Sequence, residues 1–420
     1  MAFTQLEGTM TLLDIIPVAF VLIALFGVIN YHVLKMPGTI GMLVIALVVS
    51  ALVAGFDFLA PGLHVGPAVR EAIASIDFHK TLMQGMLSFL LFAGALHVDL
   101  ETLLKRKFAI ALMASAGVLL STFVVGFGFH FVTGATLLTA LVFGALISPT
   151  DPVAVMSILK TVKVPKTLET KIAGESLFND GIGVVIFAVL VAIAFPSSGS
   201  HLDVSIPGIA TFLAKEALGG ALLGGFAGYL AYRALKGVDD YVVEILITLA
   251  LVTGAYALAL KLHTSGPIAV VVAGLFIGNT GIQYAMSEKT RAHLLDFWHL
   301  LDEILNALLF TLLGFEVLTL DVTPSYLLAG LVTIPILLGA RFLAVSIPIK
   351  MLALTKDFTK GAIPVLTWGG LRGGISVALA LSLPHGPERD MILTVTCIVV
   401  IFSVVVQGLT IGRVIRRTVV

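Results

Sequence analysis

The chain has 420 residues, 58% of them hydrophobic and only 12% charged, and its 25 basic and 25 acidic side chains cancel. A soluble domain carries about 25% charged residues, so this composition, with a mean hydropathy of +1.09, excludes a soluble globular protein. The charges sit in loops, no nucleic-acid partner is expected, and the single cysteine, Cys397, excludes an intramolecular disulfide or a thiolate metal cluster.

A bilayer core of about 30 Å takes roughly 20 apolar residues per helix, which places thirteen spans along an all-α polytopic chain. The first two lie near 12–33 and 37–56. No basic residue and no cleavage site precede the first, which reads as a retained span and not a signal peptide. The third and fourth follow near 80–99 and 108–132. The fifth, 135–159, holds Ser148-Pro149-Thr150-Asp151-Pro152. Each proline removes a backbone donor and clashes with the preceding turn, so the helix should unwind around Thr150 and Asp151. Unwound backbone at membrane depth survives only where it is buried or lines a cavity. A simple proline kink is the alternative, but a kink needs no carboxylate.

The sixth span, 169–195, carries Gly174-Glu175-Ser176-Leu177-Phe178-Asn179-Asp180. Ser176 and Asp180 share one helix face, and Glu175 and Asn179 the adjacent one. A buried helix–helix hydrogen-bond network would explain Glu175 and Asn179 more readily than Asp180. In the seventh span, 207–235, Gly220, Gly224 and Gly228 recur every fourth residue, a small-residue face for close helix packing. Spans eight to ten fall near 241–261, 265–281 and 299–319. Glu244, Asp302 and Glu303 lie near span ends and read as interfacial, and Trp298 and Trp368 fit an aromatic belt.

Arg341 lies deep in the eleventh span, 324–350, and needs a counter-charge. Glu175 is the preferred partner, which leaves Asp180 to titrate. The twelfth span, 361–383, contains Gly369-Gly370-Leu371-Arg372-Gly373-Gly374 and reads as a second broken helix, with Arg372 compensating helix-end dipoles and Asp151. The thirteenth lies near 390–413. Most Lys and Arg residues fall in alternate loops; Arg70, Lys80, Lys261 and Arg389 fall on the other side. The positive-inside rule then puts the N-terminus outside and the C-terminus in the cytoplasm. Broken spans five and twelve occupy corresponding, oppositely oriented places, so two inverted six-helix repeats with a midplane site are expected.

Together these motifs, with Phe310-Thr311-Leu312-Leu313-Gly314 and Ser265-Gly266-Pro267-Ile268-Ala269, resemble the NhaP-type sodium/proton exchangers of the monovalent cation/proton antiporter superfamily. The resemblance implies a homodimer with core helices near 80–195 and 299–416 and dimer helices near 12–56 and 207–281. It implies Na+ binding at Asp151 and Asp180, with a carbonyl from Thr150 and a hydroxyl from Ser176. Asn179 would hold the broken helix and Glu175 would pair with Arg341. The Asn179-Asp180 pair resembles the electroneutral one-for-one type. One departure is Ala93, where some relatives carry an acidic residue.

The expected function is antiport of Na+, with Li+ as a second cargo, against H+ across a prokaryotic plasma membrane, without a cofactor. K+/H+ exchange and a gated cation channel are the rival readings. An enzyme is not expected, since neither H-E-x-x-H spacing nor a nucleophile elbow occurs.

Overall fold

The computed structural model describes residues 12–59, 69–70, 81–105, 107–151, 166–196, 205–320, 322–352 and 361–418. All regular structure among them is helical. Among the described residues nine helices are long and apolar enough to cross a membrane, and Leu87–Leu96 and Leu137–Ile147 are shorter apolar helices.

α1 (Leu12–Ile29) runs into a π-helical turn, Asn30–Leu34. The buried Asn30 amide donates to the Met36 carbonyl at 3.0 Å and accepts its N–H at 3.2 Å, turning the chain into α2 (Gly38–Leu59). A second π-helical turn, Thr81–Met86, leads into α3 (Leu87–Leu96). α4 (Lys107–Thr133) follows, and α5 (Leu137–Ile147) starts on a Thr136 cap. α6 (Lys166–Ala194) carries the polar stretch of the sixth span.

α7 (Ile206–Leu235), α8 (Tyr241–Leu262), α9 (Gly266–Phe276) and α10 (Glu288–Glu316) each begin on a side-chain cap, from Ser205, Asp240, Ser265 and Ser287 respectively. Such caps satisfy amide groups that the first helical turn leaves without partners. The short gap after α8 is a tight turn: His263 adopts a left-handed conformation (φ 53°) and Ser265 at once caps α9. Gly220, Gly224 and Gly228 of α7 face α9, and a Cβ at Gly224 would overlap the backbone of Ala269. α11 (Pro324–Leu352) packs against α4. α12 (Ala362–Trp368) and α13 (Gly374–Leu381) are two halves of one interrupted helix. α14 (Pro387–Phe402) continues through a π-helical turn, Ser403–Gln407, into α15 (Gly408–Thr418).

Two features differ from the sequence reading. α10 begins at Glu288, not near 299, because Ser287 supplies a cap and the apolar face continues backwards through Leu294. That longer helix takes Trp298 away from any interfacial belt. It is fully buried, stacks near Phe89, packs at a tilt on Phe92, and donates its indole N–H to Thr248 at 3.0 Å. Glu244, one turn before Thr248 in the first turn of α8, is also fully buried. The second half of the fifth span, from 152, lies outside the described residues.

Candidate functional site

The site grows from two interrupted helices. α5 stops at Ile147, and the backbone of 148–151 is not helical. A helix that ends inside a membrane leaves carbonyls aimed along its axis, with the negative end of the helix dipole behind them. Here Arg372 supplies the cation: its Nη1 donates to the carbonyls of Ser148 and, at 2.8 Å, Pro149. Arg372 is itself only 1% exposed.

α12 ends in the same way and finds a second arginine. The Gly369 amide bonds to the Val365 carbonyl at 2.7 Å, Arg341 Nε donates to the Leu366 carbonyl at 3.2 Å, and Gln407 Nε2 donates to the Trp368 carbonyl at 3.0 Å. The linker 369–373 then crosses the break of the fifth span, where the Asp151 amide donates to the Leu371 carbonyl at 2.8 Å. Two glycines permit the crossing. A Cβ at Gly370 would overlap the Arg341 guanidinium, and one at Gly373 would overlap the Asp151 side chain. Gly373 is the N-cap of α13, so the Asp151 carboxylate lies at the positive end of a half-helix.

α6 packs beside the crossing and presents four polar groups. The Asn179 carboxamide is bidentate on Thr150: its Oδ1 accepts the Thr150 amide at 3.2 Å, and its Nδ2 donates to the Thr150 hydroxyl at 2.7 Å. The Ser176 hydroxyl lies 3.0 Å from that same hydroxyl. Glu175 accepts a hydrogen bond from Arg341 Nη1 in a buried ion pair. Asp180 is 5% exposed, and the charges that act on it are those of Asp151 and Arg372.

The structure therefore brings together Thr150, Asp151, Ser176, Asn179 and Asp180 at the crossing, with Arg372 among them. Glu175 and Arg341 form a separate pair beside the α12 end. Two carboxylates and two hydroxyls make a set of hard oxygen donors, suited to an alkali cation and not to a soft metal. No cluster of three or more His, Cys, Asp or Glu side chains is placed to hold a metal ion among the described residues. Ala93 is buried on α3, with its carbonyl bonded to His97 Nδ1 at 2.9 Å. Sequence reasoning passed over Ser403 and Gln407, which touch the linker from the π-helical turn between α14 and α15. Their signal was two polar residues, four apart, in an otherwise apolar run from 398 to 409.

Two interrupted helices crossing at a buried charged site define a secondary transporter of the polytopic, all-helical class. The chain belongs to the sodium/hydrogen exchanger family, whose profile, described as "Sodium/hydrogen exchanger, transmembrane", matches residues 20–417. It is 47% identical over 417 residues to the Na(+)/H(+) antiporter NhaP of Pseudomonas aeruginosa, covering 97% of each chain. It is 35% identical over 386 residues to the Na(+)/H(+) antiporter NhaH of Halobacillus aidingensis, covering 89% of this chain and 91% of that one. The fold is that of the sodium proton antiporter MjNhaP1 of Methanocaldococcus jannaschii, with a TM-score of 0.71 at 19% identity over 96% of this chain and 98% of that one.

Proposed function

We propose that the chain is a secondary active antiporter that exchanges Na+, and also Li+, for H+ by alternating access. Its similarity over nearly full length to proteins named Na(+)/H(+) antiporters supports the cargo. The observation that carries the site assignment is the placement of Asp151 and Asp180 at the crossing, beside arginines that already satisfy both helix ends.

Asp180 and Asp151 hold the dehydrated cation with the Ser176 hydroxyl and the Thr150 carbonyl. Asn179 fixes Thr150 in the unwound segment. Protonation of Asp180 removes the charge that the cation needs, so proton and cation compete for one place. A bare carboxylate in the barrier is costly, whereas the loaded or protonated site is neutral enough to cross. Glu175, held by Arg341, stays out of the exchange, and Asn179 cannot titrate, so one proton balances one cation and transport is electroneutral. The core helices near 80–195 and 299–416 move against a dimer scaffold near 12–56 and 207–281. The protein is a homodimer in the plasma membrane of a prokaryote, with its N-terminus outside and its C-terminus in the cytoplasm.

Cation-by-cation exchange in proteoliposomes, with and without an imposed voltage, tests this reading. Na+ and Li+ should dissipate an imposed pH gradient at a rate that voltage does not alter. A response to K+ alone, or ion flux without a counter-ion, would overturn it.

A further inference from the structure

The linker 369–373 lies at membrane depth, where every backbone polar group needs a partner within the protein. Gly373, the N-cap of α13, supplies no side-chain cap. Two partners come instead from the last helix. The Arg372 amide donates to Ser403 Oγ at 2.9 Å, Ser403 Oγ donates to Gln407 Oε1 at 2.8 Å, and Gln407 Nε2 donates to the Trp368 carbonyl at 3.0 Å. This unbroken relay spans the linker from its first flank to its last turn. Both side chains are buried, at 0% and 2% exposure. They occupy the ends of the π-helical turn Ser403–Gln407. π-Helical turns are rare and concentrate at functional sites.

The gripped residue stands between the two that meet Asp151. Leu371 accepts the Asp151 amide, and Gly373 abuts the Asp151 carboxylate. Arg372 itself reaches the Ser148 and Pro149 carbonyls through Nη1 alone, while Nε and Nη2 have no hydrogen-bond partner among the described residues. Its guanidinium is thus held by one nitrogen, and its backbone by Ser403. We propose that Ser403 and Gln407 are positioning residues for ion exchange. They hold the linker in the register that keeps Arg372 on the end of α5 and leaves the Gly373 surface to Asp151. The proposal rests on the antiport reading above.

The test is transport by Ser403→Ala, Gln407→Met and the double variant in proteoliposomes, each first shown to be folded by a monodisperse size-exclusion profile. Losing one buried hydrogen-bond partner should raise the apparent KM for Na+ by about fivefold or more, and shift the pH profile of exchange, because Arg372 moves relative to Asp180. The double variant should cost little more than either single change, since both cut one relay. Ser403→Thr, which keeps the hydroxyl, should restore the wild-type KM. Thr396→Val removes a buried hydroxyl bonded only within α14, to the Ile392 carbonyl, and should leave both readouts unmoved. If the single variants lose only thermal stability and keep KM and pH profile, or if none of them folds, the residues are structural and the inference falls. If the wild type itself does not exchange Na+ for H+, the antiport reading fails instead.

Discussion

Gly373→Ala separates the site from the fold. Gly373 has φ −125° and ψ −166°, extended backbone that alanine adopts without strain. The added methyl carbon would overlap Asp151 Oδ2 and stand only 2.7 Å from its Cβ and 2.9 Å from its Cγ. The whole side chain must therefore shift, since rotating its tip relieves only one of three contacts. Overpacking of this kind costs about 1–3 kcal/mol, which is about 5- to 150-fold in an equilibrium constant. Displaced from the crossing, Asp151 loses that much of its hold on the cation. The assay is the apparent KM for Na+ in proteoliposome exchange, read beside the melting temperature in detergent. Gly339→Ala is the control, because its Cβ meets nothing within 4 Å and alanine favours the helix. An unchanged KM for Gly373→Ala, or an equal rise for the control, would refute the placement of Asp151.

Other consequences fall on the support around the site. Glu175→Gln or Arg341→Leu leaves one buried charge without its partner and should cost about 3–5 kcal/mol, whereas the double change should recover part of the melting temperature; a double variant as unstable as the sum of the singles would argue against the pair. Asn179→Ala orphans the Thr150 amide and should cost about 1–3 kcal/mol, seen as a raised KM for Na+ with the protein still folded. Gly224→Leu drives a side chain into the Ala269 backbone between α7 and α9 and should lower the melting temperature sharply; an unaltered melting curve would contradict that packing.

How much of this was legible in the sequence depends on which physical signal each part leaves. The two breaks were legible because Pro149, Pro152 and the glycines of 369–374 act on the backbone directly. The meeting of Glu175 with Arg341 followed from the cost of a lone charge in an apolar span, and both residues lie where that argument needs them. The face that Gly220, Gly224 and Gly228 present could be read for the same reason: small residues every fourth position have little other use in a membrane helix. The start of α10 could not be read from hydropathy, because 288–298 is polar on one face, and only the Ser287 cap marks it. With that start displaced, Trp298 was assigned to an interface that its packing against Phe92 excludes. Ser403 and Gln407 escaped notice because hydroxyl and amide groups cost less in an apolar run than carboxylates do. The π-helical turn that aims them at the linker leaves no pattern in residue types.

The central claim is that one proton and one cation compete at Asp180. The measurement that reaches it most directly is the apparent KM for Na+ as a function of pH, taken with equal pH on both sides of the vesicle. Competition for a single carboxylate predicts that, on the acid limb, KM rises about tenfold per pH unit while the maximal rate at saturating Na+ stays constant. Asp180→Ala should abolish the exchange. A maximal rate that falls with acidification at constant KM, or Na+-driven proton movement that survives in Asp180→Ala, would contradict the account.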